Sequence, residues 1–340
     1  MLNRWSNKHG RKATLQALRD ALINIDEERT ADELEDPPKP RLQKKKKKEA
    51  EPEAGGDLVD PADEDDGKID VKVKTCDDDF WDKIMNEKDP YRMDSNPRGY
   101  ALILNNTKFT NLRERKGRAI DLSNVKALLE GLSFETHVLE DKKAQRKDHK
   151  QKDCCVVVLM SHGEEGVIFG TDNVPVQLDE IFAMFDNNNC SRLKGKPKLF
   201  FIQACRGSKV TKDEPDDPGP DVKVNLKREI RNLLHLPEDE SDGPLPDGQT
   251  TRTDMLCGYA TQPGYKSYRN RENGSWFIQA ITKVFMEHAK DKSLREMMQN
   301  VIEDVSKRTA FCPGTPDHGG KEKAEFDHSL VKPLYFFPGL

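Results

Sequence analysis

The chain has 340 residues, and charged and hydrophobic residues each make up 34% of it, so part of the chain is expected to lie outside a packed core. The net charge of −5 gives no general reason to expect nucleic-acid binding, and no long apolar stretch or signal-peptide pattern predicts a membrane span or secretion. Seven cysteines, odd in number and without Cys-x-x-Cys spacing, are typical of free thiols in a reducing compartment. We therefore expect a cytoplasmic protein that carries no metal or other cofactor.

The first 78 residues divide into a helical segment and a linker. Residues 1–36 predict two helices, with apolar residues at near-helical spacing from Trp5 to Leu22. Residues 37–78 predict a charged, disordered linker, because prolines, lysines and acidic residues cannot build a core. The run Lys44–Lys48 is interpreted either as a nuclear address or anion-binding patch, or simply as part of a solvated linker.

From Arg98 onward, apolar strands alternate with helices, which predicts an α/β fold with a doubly wound sheet. The predicted strands are Tyr100–Leu104, Phe134–Leu139, Cys155–Met160, Leu199–Ile202, Met255–Ala260 and a closing strand Leu334–Phe337. The predicted helices are Ile120–Leu129, ended at Gly131, then Leu178–Phe185, Trp276–Ala289 and Leu294–Val305.

A histidine and a cysteine follow two of these apolar runs. His162 comes two residues after the strand that ends at Met160, and Cys205 comes three residues after the strand that ends at Ile202. Because the carboxyl ends of parallel strands converge on one crevice, the two side chains are expected to meet there. The arrangement predicts a Cys-His catalytic pair.

Nucleophilic catalysis needs both residues, since a thiol at its ordinary pKa is only slightly ionised at neutral pH. An imidazole can assist its deprotonation and later protonate the leaving amine. The backbone N–H groups of Gly163 and Cys205 could form an oxyanion hole. The alternative for any cysteine is a small buried hydrophobic residue, which we expect for the others after position 150. They are Cys154, Cys155, Cys190, Cys257 and Cys312.

Several longer motifs accompany this pair. They are Gly99–Asn106, Arg115–Gly117, Ser161–Gly166, Gly195–Lys198, Gln203–Gly207, Ser267–Asn270 and Gly274–Gln279. In this order they resemble the caspase family, whose Gln-Ala-Cys-Arg-Gly signature is preceded by the histidine about 50 residues upstream. The resemblance covers most of residues 79–340. It implies a caspase-type sheet of mostly parallel strands flanked by helices, and a cysteine endopeptidase that cuts protein substrates after aspartate.

The resemblance also implies a role for each matching residue. His162 matches the general acid/base, Cys205 the nucleophile, and Gly163 with Cys205 the oxyanion hole. Three substrate-binding residues match the aspartate pocket, where paired guanidinium N–H bonds suit a carboxylate; they are Arg115, Gln203 and Arg269. Ser267, Tyr268 and Trp276 match further substrate-binding positions, although Trp276 could equally be core packing. Lys266 departs from the family, in which an aromatic or small apolar residue is common there.

The resemblance divides the catalytic region into a large-subunit segment, 79–212, an intersubunit linker, 213–252, and a small-subunit segment, 253–340. It implies a zymogen whose large and small subunits pair and then dimerise. Acidic tetrapeptides of the enzyme's own preferred type end at the candidate cleavage sites Asp66, Asp216 and Asp242. The alternative interpretation, an acidic solubilising linker, predicts no discrete fragments.

Residues 1–36 resemble the last helices of a death domain, so we expect an N-terminal death-domain remnant and a possible death-domain adaptor as partner. A long region before the catalytic segments favours an initiator-type caspase in apoptosis or related regulated cell death. One feature departs from the family: the crossover of residues 140–153 has Ala144 as its sole apolar residue and so lacks a hydrophobic helical face. The alternative hypothesis is therefore a catalytically weak, caspase-like adaptor or regulator.

Overall fold

A computed structural model describes residues 69–110, 112, 115, 117–139, 149, 151–212, 252–270 and 272–340. The predictions for the death-domain helices, for Lys44–Lys48 and for the cleavage sites Asp66, Asp216 and Asp242 lie outside these residues. So does the crossover of residues 140–153, except for its last few positions. None of the helices in the described ranges is long and apolar enough to cross a membrane.

The elements of the described residues follow one another in this order. The helices are α1 (Asp78–Glu87), α2 (Arg118–Gly131), α3 (Leu178–Ala183), α4 (Trp276–His288) and α5 (Leu294–Lys307). The first strands are β1 (Gly99–Asn105), β2 (Phe134–Leu139), β3 (Cys154–Met160), β4 (Gly163–Glu164), β5 (Val167–Phe169), β6 (Pro175–Gln177) and β7 (Lys198–Gln203). The later strands are β8 (Thr211–Lys212), β9 (Met255–Tyr259), β10 (Arg269–Asn270), β11 (Gly274–Ser275), β12 (Gly320–Lys321) and β13 (Glu325–His328).

The main sheet has six strands in the order β13-β9-β7-β3-β1-β2, and only β13 runs antiparallel to its neighbour. Every residue of β3 and β7 is buried, since both faces of the sheet are covered at its centre. Strands buried on both faces appear as continuous apolar runs. This is why the sequence predicts these two strands within one residue of their observed ends.

The two faces of the sheet are covered differently. Helices α2, α4 and α5 supply apolar side chains to one face, among them Val125, Phe277 and Val301. Helix α3 lies on the other face, where Phe182 packs edge-to-face on Phe200 of β7 with ring centroids 4.9 Å apart. The fold is therefore a three-layer α/β arrangement, as the alternation of strands and helices predicts.

The predicted closing strand Leu334–Phe337 is wrong. These four residues are buried, but the last strand of the sheet is β13, and the segment runs as irregular chain against the core. Its carbonyls are bonded by other groups: Leu294 N–H donates to the oxygen of Leu334 at 2.8 Å, and the buried guanidinium of Arg98 donates to that of Phe337. An apolar run shows that a segment is buried but does not show that it pairs with a strand.

The end of the predicted linker packs on this core. Val71 and Val73 contact the cluster beneath α2 and α4, and the N–H of Lys74 donates to the carbonyl of Met286 in α4 at 2.9 Å. At the far end of the crossover, His149 is buried edge-on against Tyr100 of β1, with ring centroids 5.1 Å apart. The structured region therefore begins before residue 78.

Candidate active site

The candidate catalytic residues lie at the carboxyl ends of two adjacent strands. β3 and β7 pair in parallel, with Met160 opposite Gln203, and the N–H of Ser161 donates to the carbonyl of Gln203 at 3.2 Å. His162 lies two residues beyond Met160, and Cys205 lies two residues beyond Gln203. The strand register therefore brings the predicted acid/base and nucleophile to the same edge of the sheet.

Cys205 also differs in exposure from the other cysteines. It is half-buried, whereas the remaining six are buried. Burial raises the pKa of the thiols of Cys154, Cys155 and Cys257, which keeps them protonated and unreactive. The sulfur of Cys205 lies 3.5 Å from the hydroxyl of Ser267, in the segment that the resemblance assigns to substrate binding.

The strand end that carries His162 is fixed by Asn106, which follows β1. The side-chain amide of Asn106 donates to the hydroxyl of Ser161 at 3.2 Å and to the carbonyl of Phe169 at 3.0 Å. The ring of Phe109 packs edge-to-face on the imidazole of His162, with centroids 4.7 Å apart. Asn106, which the sequence analysis names only as part of a motif, thus holds the strand end, and Phe109, which it does not name, packs on the imidazole.

Gly163 lies where the chain after β3 passes close to Ala204 and Cys205. A Cβ at this position would lie 2.6 Å from the carbonyl oxygen of Val167, 3.0 Å from the Cβ of Ala204 and 3.2 Å from the carbonyl oxygen of Cys205. Only glycine allows this approach without displacement. The two predicted oxyanion-hole residues, Gly163 and Cys205, are therefore packed side by side.

The residues after Cys205 are joined to the segment after β9. The N–H of Arg206 donates to the carbonyl of Tyr265 at 3.0 Å, and its guanidinium lies over the ring of Tyr259 and pairs with Glu325 of β13. A Cβ on Gly207 would lie 2.2 Å from the carbonyl oxygen of Gly264. These contacts hold the nucleophile segment against the segment that carries Ser267.

The three predicted aspartate-binding residues converge on this edge. The guanidinium of Arg115 is buried and donates to the side-chain oxygen of Asn105 at 3.1 Å and to the carbonyl of Asn106 at 2.9 Å. Burial and the neighbouring charge of Arg269 lower the pKa of Arg115 to about 10, which leaves it charged at neutral pH. Gln203 is buried too, and its side-chain oxygen has no hydrogen-bond partner among the described residues.

The sequence analysis missed a buried carboxylate, Asp121, in the first turn of α2. Its oxygens accept hydrogen bonds from the N–H and the hydroxyl of Ser275, both at 2.7 Å, and one lies 4.0 Å from a guanidinium nitrogen of Arg115. The pKa of Asp121 is raised above its ordinary value, because desolvation outweighs the opposing effects of Arg115, the hydrogen bonds from Ser275 and Arg269. The spacing of Asp121 from Val125 and Leu128 places it on the same buried face of α2, and this spacing was the sequence signal that could have indicated its burial.

Two of the remaining predicted substrate-binding residues pack against each other. Tyr268 and Trp276 are both buried, with ring centroids 5.2 Å apart. The N–H of Tyr268 donates to the buried carboxylate of Glu322, whose pKa burial raises to about 8. Lys266 forms an ion pair with Asp317 at 3.0 Å, so its ammonium ties two loops together. Within the described ranges, no group of three or more His, Cys, Asp or Glu side chains is placed to hold a metal ion.

Comparison with known proteins agrees with this geometry. Residues 98–335 match the family described as Caspase domain, and residues 1–37 match the family described as Death domain. The chain is 36% identical over 289 residues to Caspase-2 of Gallus gallus, covering 78% of this chain and 64% of that protein. It is 34% identical to Cell death protein 3 of Caenorhabditis remanei, covering 75% of this chain and 53% of that protein, and 32% identical to Caspase-3 of Bos taurus, covering 75% and 90%.

The chain thus spans between about half and two thirds of the length of the first two of these relatives, and nearly the whole of the third. The matched region runs from just before β1 to the segment after β13, and so includes the whole sheet, both candidate catalytic residues and the candidate pocket. A family match of this extent, on a sheet with a histidine and a cysteine at adjacent strand ends, makes the chain a member of the caspase family.

Proposed function

We propose that this protein is a cysteine endopeptidase that cleaves protein substrates after aspartate. The observation that carries the proposal is the pairing of β3 with β7, which places His162 and Cys205 at adjacent strand ends. The arginines Arg115 and Arg269, close enough to influence each other's charge, lie at the same edge and supply a receptor for a carboxylate.

The chemistry follows the usual course of a Cys-His pair. The thiolate of Cys205 attacks the backbone carbonyl carbon of the substrate aspartate, and the N–H groups of Gly163 and Cys205 stabilise the negative oxygen that forms. The imidazole of His162 gives a proton to the leaving amine as the C–N bond breaks. Water then attacks the thioester, with the imidazole as base, and releases the aspartyl carboxylate and the free thiol.

Two features support a zymogen of the initiator type. The N-terminal match to a death domain favours recruitment by a death-domain adaptor, and the matched relatives include Caspase-2. The candidate cleavage sites Asp66, Asp216 and Asp242 have the aspartate that the proposed activity requires. The chain would then act in apoptosis or related regulated cell death, in the cytoplasm, with nuclear entry through Lys44–Lys48.

A homodimer is the proposed active assembly. Strand β13 lies at an edge of the main sheet, and a second copy can pair its own β13 antiparallel to it across a two-fold axis. The ion pair between Arg206 and Glu325 joins this edge to the residue after the nucleophile. A rate of hydrolysis that rises with the square of the protein concentration at low concentration would support the dimer.

The test is hydrolysis of a fluorogenic aspartyl peptide by the full chain, compared with Cys205→Ala and with Cys190→Ala. Replacing Cys205 should abolish hydrolysis, a loss of at least about 1,000-fold, because the nucleophile is removed. Replacing the buried Cys190 should leave the catalytic rate per folded molecule unchanged. Wild-type hydrolysis that persists in Cys205→Ala, or that is absent from the dimerised chain, would contradict the proposal and favour the adaptor hypothesis.

A further inference from the structure

The aspartate pocket contains two guanidiniums in a largely desolvated setting. Arg115 is buried, Arg269 is half-buried, and the positive charge of Arg269 lowers the pKa of Arg115. Two like charges out of water repel strongly, because the interaction is screened far less than at a surface. A pocket of this kind needs a resident anion to hold its shape before a substrate carboxylate arrives.

Asp121 is placed to be that anion. Its carboxylate is fully buried and lies 4.0 Å from Arg115. It also holds Ser275 by two hydrogen bonds of 2.7 Å, and Ser275 of β11 pairs directly with Arg269 of β10. The same carboxylate therefore contacts one pocket arginine and fixes the strand that positions the other.

Two local features fit this role. Ser275 is the residue that precedes α4, yet its hydroxyl donates to Asp121 instead of capping its own helix. A side-chain hydrogen bond at this position ordinarily stabilises the helix. In addition, Gly274 has φ 87°, and a Cβ there would lie 2.3 Å from an oxygen of Asp121. The β10–β11 hairpin therefore leaves room for the carboxylate of Asp121 where a side chain at position 274 would block it.

We infer that Asp121 is a positioning residue of the aspartate pocket, the counter-ion that holds Arg115 and the Arg269 strand in a substrate-ready arrangement. With it, the pocket carries one net positive charge and accepts one carboxylate. The inference rests on the proposed function, because it concerns the pocket of that same site.

The test measures binding without catalysis, on the full chain carrying Cys205→Ala. The dissociation constants of an aspartyl peptide and of the matched asparaginyl peptide are determined by fluorescence anisotropy, before and after adding Asp121→Asn. Asparagine keeps the size of the side chain and a hydrogen bond from Ser275 but removes the charge. We expect the aspartyl peptide to bind about tenfold more weakly and the preference over the asparaginyl peptide to shrink, because the arginines are no longer pre-organised.

Whether Asp121→Asn weakens or tightens binding of the aspartyl peptide is decisive. Coulomb attraction alone predicts tighter binding, since Asp121→Asn makes the pocket more positive. Equal or tighter binding of the aspartyl peptide would therefore overturn the inference. A purely structural role would lower the fraction of molecules that bind while leaving the dissociation constant of the rest unchanged, and that outcome overturns it as well.

Two further variants complete the design. Glu130→Gln removes a half-exposed carboxylate from the other end of α2 and should leave both dissociation constants unchanged. Should Asp121→Asn fail to fold, Ser275→Ala keeps the carboxylate and removes one of its hydrogen bonds. We expect about threefold weaker binding of the aspartyl peptide, and unchanged binding would overturn the inference.

The outcomes separate this inference from the proposed function. If the chain with Cys205→Ala alone does not distinguish the aspartyl from the asparaginyl peptide, the aspartate specificity itself fails, and the role given to Asp121 fails with it. If it distinguishes them and Asp121→Asn binds as before, only the role of Asp121 fails.

Discussion

The candidate catalytic pair and the proposed aspartate pocket are held by different kinds of structure. His162 and Cys205 follow neighbouring strands of the main sheet, and the backbone ladder between β3 and β7 sets their relative position. Arg115 lies in the loop after β1 and Arg269 in a two-residue strand of a separate hairpin. The pair depends on strand register, whereas the pocket depends on side chains that meet around Asp121.

This difference separates two kinds of damage. A change that shifts the strand ends misplaces the reacting atoms and should lower kcat, because productive geometry tolerates little displacement. A change that disturbs the pocket weakens substrate binding and should raise KM, since the arginines hold substrate and transition state alike. Substitutions of glycine at each place test the comparison.

Of the two glycine substitutions, Gly163→Ala is expected to have the larger effect. The added methyl group would lie 2.6 Å from the carbonyl oxygen of Val167 in β5, 3.0 Å from the Cβ of Ala204 and 3.2 Å from the carbonyl oxygen of Cys205, so it would displace Gly163 from the segment that carries Cys205. We expect kcat to fall about 100-fold with little change in KM, measured by steady-state hydrolysis of an aspartyl peptide. An unchanged kcat would show that the packing of Gly163 against Ala204 is not needed for catalysis.

A smaller effect of the other kind is expected from Gly274→Ala. The methyl group would collide with the carboxylate of Asp121, so KM should rise about tenfold while kcat changes less. The matched control is Gly195→Ala, because Gly195 also has positive φ, 73°, but a Cβ there meets nothing within 4 Å. A rise in KM of the same size in the control would assign the effect to backbone strain and not to the pocket.

The smallest effect on activity is expected from Glu322→Gln, which should instead change the pH dependence of stability. The pKa of Glu322 is about 8 in the folded protein, above its ordinary value of 4.5, so the folded state retains a proton that the unfolded state releases. Wild-type stability should therefore fall as pH rises from 4.5 to 8. Glutamine should flatten this decline in thermal unfolding curves, and an identical slope in both proteins would contradict the assignment.

The strands of the main sheet could be predicted from the sequence because burial on both faces leaves continuous apolar runs. The same signal fails at Leu334–Phe337, where Arg98 and α5 bond the carbonyls that a strand partner would otherwise take. An apolar run does not indicate which groups form hydrogen bonds with its backbone carbonyls. For Phe337 that group belongs to Arg98, which lies 239 positions earlier in the chain.

The candidate site was predictable where short motifs carry the chemistry and not where distant residues support it. Cys205 and His162 stand in recognisable local patterns, and so do Arg115 and Arg269. Asp121 does not, since an acidic residue in the first turn of a helix ordinarily reflects the helix dipole. Its partner Ser275 lies 154 positions further along the chain, and only folding brings the two together.

The pairing of β7 with β9 has a consequence for how the chain tolerates being cut. These strands lie on opposite sides of residues 213–251, and they are joined in parallel register from Lys198 opposite Met255 to Ile202 opposite Tyr259. A single cut in the chain between them breaks one peptide bond and none of the hydrogen bonds that join the two strands. Separating the two fragments would mean breaking the main sheet between β7 and β9, so the two pieces of a chain cut between these strands should stay associated.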